Sequence, residues 1–145
     1  MQQDTIQLVQ DSWTKVAAIA PQAAALFYQN LFLADPSLRP LFTGNMNQQG
    51  KMLMHMIGTA VGQLHHMDAL APLLQDLGRR HVGYGVQDSH YDTVGAALLK
   101  TLEQGLGDAF TPPVKAAWAE VYSIMADIMM SAAKSEERGG SQENS

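Results

Sequence analysis

From Ile6 onward the apolar residues recur every three or four positions, and no segment alternates strictly enough to read as a strand. That single period restricts the chain to helices, because a strand needs a repeat of two. Ile6, Val9, Trp13, Val16 and Ile19 share one face of a first helix, with Asp4 placed to cap it. Pro21 falls where a first helical turn tolerates proline and opens "PQAAALFYQNLFLA". Asp35 and Pro36 start a very short helix, "DPSLRPLF". A polar connection, "TGNMNQQG", leads into a helix over about Gln48 to His66. Pro72 is read as opening the next helix, Asp88 or Ser89 as capping a long one, and Thr111 as capping the last. The result is an all-α chain of about seven helices of unequal length, which is not the pattern of an even four-helix bundle. Residues 1–134 are expected to form one domain, and the Gly/Ser-rich tail 135–145 to be disordered.

Composition removes several functions. The net charge is −5, whereas a nucleic-acid surface needs a basic footprint. There is no cysteine, so disulfides, Cys-ligated zinc, iron–sulfur clusters and thiol catalysis all drop out. No apolar run approaches a membrane span, and "MQQDTIQLVQDSW" is too polar for a signal peptide, so the chain is expected to be cytoplasmic, with no membrane partner. Nine methionines suit a soft core that adapts to irregular apolar space.

One polar residue breaks the apolar stripe. Leu73, Leu77 and His81 follow one another at intervals of four, so they stack on one helical face. Gly83 and Gly85 then end the helix. His81 therefore faces inward near a helix C-terminus. Such a histidine is either a core residue with one hydrogen-bond partner or a ligand, because neutral imidazole is the commonest metal ligand. Three further residues read as ordinary structure when taken singly. Tyr28 is a core tyrosine with its hydroxyl tied to backbone. Gln49 shares a helical face with Leu53, four residues on, and is an exposed first-turn glutamine. Phe42, ending "LRPLF", is core packing. His55 is read as solvated, and His65 and His66 as complementing a helix C-terminus.

Taken together, these residues form a pattern. A Tyr in the second helix, a Phe after a short third one, a Gln four residues before a Leu, and a His ending a later helix resemble the single-domain bacterial globins, relatives of the haem domain of flavohaemoglobins. "LFYQNLF", "LRPLF", "LQDLGRRHVGYGVQDSHY", "VGAALL" and "KAAWAEVYSIMADIM" are all similar to that family's segments, over about residues 4 to 132.

The resemblance implies a globin fold around haem b (iron protoporphyrin IX). It implies His81 as the proximal iron ligand, with its second ring nitrogen donating to a carbonyl near Leu77. Phe42 would pack flat on the porphyrin, and Tyr28, Gln49 and Leu53 would form the distal pocket. Val86, Tyr91, Val94, Leu98 and Tyr122 are candidates for the wall. Arg80 is placed either at a haem propionate or in solvent. Small ligands would be O₂, NO and CO. The functions implied are tight, reversible O₂ binding for storage, scavenging or sensing, or NO dioxygenase activity. No flavin or nicotinamide domain follows in this sequence, so turnover would need a separate flavin reductase. A helical sensor without haem is the remaining reading of the fold. The family's glutamate on the last helix corresponds here to Ala133, fifteen residues past Trp118, which weakens the case for peroxidase chemistry.

Overall fold

The helical period governs the folded chain. A computed structural model describes residues 2–42, 44–83 and 87–143. Among them are α1 (Gln3–Ala17), α2 (Ala20–Ala34), a 3₁₀ helix (Pro36–Leu41), α3 (Met46–Gly62), α4 (Met67–Gly83), α5 (Asp88–Leu106), a 3₁₀ turn (Gly107–Ala109) and α6 (Pro112–Glu143). No strand occurs among the described residues. Nor is any single helix there long and apolar enough to cross a membrane.

Several boundaries differ from the sequence reading. Helix α4 begins at Met67, so Pro72 lies inside it rather than at its start. Proline there removes one main-chain donor, and burial of Leu70 and Leu74 on either side holds the turn together. Helix α3 begins at Met46 because Asn45 caps it, its side chain accepting from the Asn47 N–H at 2.9 Å. Gln87, not Asp88 or Ser89, stands at the N-cap of α5, and its N–H donates to Nδ1 of His90 at 3.0 Å. Asp4 sits in the first turn of α1 rather than at its cap. Two expected caps are present: Asp35 accepts from the Ser37 N–H at 3.1 Å, and Thr111 Oγ1 from the Val114 N–H at 3.4 Å. The backbone of 135–143, expected as an irregular tail, continues α6. Serine, glutamate, arginine and glutamine there tolerate a helix, and the backbone carries Gly139 and Gly140 within it against their propensity.

Helix α4 packs along α6, α2 along α5 and α3, and α1 against α6. Helices α4 and α6 approach closely at Gly78, where a Cβ would stand 2.3 Å from the carbonyl oxygen of Met129. At the α2–α3 contact, a Cβ on Gly50 would meet that of Ala24 at 3.0 Å. Trp118 is fully buried and donates through Nε1 to Ser12 Oγ at 2.8 Å, tying α6 to α1. These contacts fix α4, α5 and α6 on one side of a space whose other wall is α2, α3 and the first 3₁₀ helix.

Candidate functional site

That space is a cavity of about 470 Å³, within the roughly 300–1,000 Å³ usual for small-molecule sites. Its walls are mainly leucine, isoleucine, methionine and aromatic side chains, including Leu38, Leu53, Ile57, Leu74 and Met125.

His81 is set into this apolar wall from the last turn of α4. Its Nδ1 lies 2.7 Å from the carbonyl oxygen of Leu77. A carbonyl can only accept, so Nδ1 carries the proton. Burial lowers the imidazole pKa, the Leu77 bond partly opposes this, and the Arg80 charge lowers it further. The ring is therefore neutral near pH 7, and Nε2 holds the lone pair that metal ligation requires. The Tyr91 ring runs alongside, with centroids 6.4 Å apart and planes at 25°.

The other expected residues fall into two groups. Phe42, Leu53, Arg80, Tyr91, Val94, Leu98 and Tyr122 border the cavity together with His81. Arg80 also pairs with Asp76 at 2.8 Å on an exposed stretch of α4. Tyr28 and Gln49 do not border the cavity. The buried Tyr28 hydroxyl donates to the main-chain carbonyl of Gln49 at 3.3 Å, a long bond for a hydroxyl donor. Its ring packs edge-on against Phe42 and Phe27, with centroids 5.5 and 5.4 Å apart, and both of those side chains border the cavity, so it stands one layer behind the wall. Burial raises its pKa, which keeps the phenol protonated. Val86 lies outside the described residues.

Some lining residues were not anticipated. His55 and His90 border the cavity, although His55 was read as solvated. It remains exposed while touching the cavity edge, a combination that helical spacing does not express. Leu74 and Leu70 extend the wall one and two turns before Leu77, and the apolar period of α4 carried that signal. Leu73, the first member of the row with His81, borders the cavity yet is 55% exposed, so it stands at the mouth and not in the core.

The globin family profile matches residues 25–129. A flavohemoprotein from Vibrio cholerae serotype O1 is 28% identical over 131 residues, covering 88% of this chain and 33% of the relative. One from Rhizobium meliloti is 30% identical over 122 residues, covering 79% and 30%. The chain thus spans about a third of the length of these curated relatives. A solved bacterial globin from Campylobacter jejuni matches with a TM-score of 0.80 and 24% identity, over 92% of this chain and 97% of that one. That likeness is one of fold.

The chain belongs to the globin family. Membership implies haem binding, and the site fits that group on its own terms. An apolar cavity suits a porphyrin face, a neutral imidazole in its wall suits iron, and Arg80 at its edge suits a carboxylate.

Proposed function

We propose that this globin holds haem b through His81 and binds O₂ reversibly with high affinity, for storage, scavenging or sensing. The observation that carries this reading is the bond between His81 Nδ1 and Leu77 O at 2.7 Å in the wall of an apolar cavity. It fixes the ring, selects the tautomer and raises the basicity of Nε2. Haem supplies an iron centre that takes O₂, NO or CO at its open position.

The protein's own residues would do the rest. Phe42 would press on the porphyrin face, and Leu53, Val94, Leu98, Tyr91 and Tyr122 would exclude water around it. Val86 completes the proposed set, and Arg80 would exchange Asp76 for a propionate. Leu53 would shape the space beside a bound gas. Tyr28 and Gln49 are the proposed donors to it. The bond from Tyr28 to the Gln49 carbonyl is long enough to be given up readily, so a small turn of the phenol past Phe42 gives a better acceptor. Two donors at ~1 kcal/mol each would slow O₂ release by roughly tenfold to a hundredfold.

A second reading, NO dioxygenase activity, is favoured by the relatives, whose name joins flavin to haem. It requires an electron donor, proposed here as a separate flavin reductase. The deciding experiment is NO consumption by the oxygenated protein over many turnovers, with an NADH-driven flavin reductase present. A single burst ending in ferric protein supports O₂ binding. Sustained consumption overturns it in favour of NO detoxification.

A further inference from the structure

The chain contains no cysteine, so all of its sulfur is methionine. An oxidant that a thiolate would otherwise consume first meets thioethers here. Of the methionines among the described residues, two are exposed: Met52 at 65% and Met56 at 39%, one turn apart on α3. Met56 borders the central cavity and Met52 does not. Leu53, Met56, Ile57 and Ala60 fall at i, i+3, i+4 and i+7, so they form one helical stripe, and all four border that cavity. Met56 is the member of the stripe that also meets water. Met125 and Met129 border the same cavity from α6, but they are half-buried. Among the described residues, Met56 is thus the methionine that combines exposure with a place in the cavity wall.

We propose that Met56 is a reversible sulfoxidation site, and that its oxidation loosens the cavity's hold on the group inside. The oxidant is hydrogen peroxide. A lone pair on Met56 Sδ attacks one peroxide oxygen, the O–O bond breaks, and the other oxygen leaves as water with both protons. The sulfur loses two electrons and the peroxide gains them, which leaves methionine sulfoxide. A thioether is a soft apolar contact, whereas the S–O group is polar and accepts hydrogen bonds. Pressed against an apolar guest, that oxygen would be deprived of water, so the side chain turns outward and leaves the wall. The gap opens at the cavity mouth, where Leu73 and Arg80 are also exposed. A methionine sulfoxide reductase restores the thioether: the oxygen leaves as water, and a dithiol supplies two electrons as it closes to a disulfide. The consequence for haem rests on the proposed function. The oxidation of Met56 does not.

The test uses the full chain, loaded with haem and held under CO while it is treated with graded peroxide, then freed of peroxide by gel filtration. Peptide mass mapping should find Met52 and Met56 oxidised before Met54, Met125 and Met129. Transfer of ferric haem to excess apomyoglobin should then run roughly tenfold faster than from untreated protein, the scale set by a polar group held against an apolar surface. A methionine sulfoxide reductase with a dithiol should restore the slower rate. Each variant is read as the ratio of its own treated and untreated rates. Met56→Leu should bring that ratio close to one, and Met52→Leu should leave it at the wild-type value. Oxidation of Met56 no earlier than that of Met125 and Met129 overturns the site. A ratio close to one in the wild type, or a wild-type ratio in Met56→Leu, overturns the effect on the hold. Absence of a Soret band counts against the proposed function and not against this site. The hold is then read from the affinity of treated and untreated chain for the apolar dye anilinonaphthalene sulfonate, by the same ratios.

Discussion

Nδ1 of His81 and the carbonyl oxygen of Leu77 stand 2.7 Å apart, one turn from each other on the same helix. The backbone thus positions the imidazole, and no second side chain is needed to set its tautomer. His81→Ala should therefore abolish stable haem uptake while the helical signal stays intact. Absorbance at the Soret band after gel filtration with excess haem measures this. Retention equal to wild type would mean that another residue holds the iron.

The distance from Tyr28 Oη to Gln49 O, 3.3 Å, makes a weak bond. Removing it should cost little stability, under about 1 kcal/mol. If the phenol turns toward bound O₂, Tyr28→Phe should also speed O₂ release at least severalfold, or roughly fivefold for one ordinary hydrogen bond. Displacement of O₂ by CO in a stopped-flow instrument reads the rate. An unchanged rate would show that the phenol stays on the Gln49 carbonyl.

These two residues also mark how far the sequence could be read. His81 was legible because a polar residue in a row with Leu77 has to face what the leucine faces, and the structure puts both on the cavity wall. Tyr28 was legible as a buried aromatic, but helical spacing gives the face and not the acceptor of a hydroxyl. Its partner is a main-chain carbonyl 21 positions away. The start of α4 was misread at Pro72 because proline is favoured in a first turn, and the burial of Leu70 that extends the helix backward is a tertiary effect. Asn45 was a readable cap that the polar run around it concealed. The bond from Trp118 to Ser12 spans 106 positions, and no local pattern announces it.

Tyr91 and Tyr122 should respond oppositely to loss of their hydroxyls. The Tyr122 hydroxyl is bonded at 2.6 Å, whereas that of Tyr91 is buried without a partner among the described residues. Tyr122→Phe should cost about 1 kcal/mol, and Tyr91→Phe should be neutral or slightly stabilising. Urea unfolding of both variants gives the comparison. A clear loss in Tyr91→Phe would mean that its hydroxyl has a partner in solution.

Gly78 lies where α4 crosses α6, and a Cβ there would stand 2.3 Å from Met129 O and 2.7 Å from Met129 Cα. Both obstacles are backbone, so no side-chain rotation relieves them. Gly78→Ala should therefore destabilise by about 2 kcal/mol or more, despite alanine's better helix propensity. Thermal unfolding reads this directly. A melting temperature at or above wild type would mean that α4 and α6 pack less closely than described.

Alkaline pH should weaken the fold through its tyrosines. Burial raises the pKa of Tyr28, and burial with the nearby Tyr91 and Asp92 raises that of Tyr122. Unfolded tyrosine titrates near pH 10, so above that value the unfolded chain loses protons that the folded chain keeps. The stabilising contribution is fully present below about pH 10 and is lost as pH climbs from there toward the folded pKa values. Urea midpoints between about pH 8 and pH 11 should fall across the upper part of that range. The fall should be shallower in Tyr122→Phe, which removes one of the linked groups. Identical slopes in the two proteins would mean that the Tyr122 phenol titrates normally and is not held in the wall.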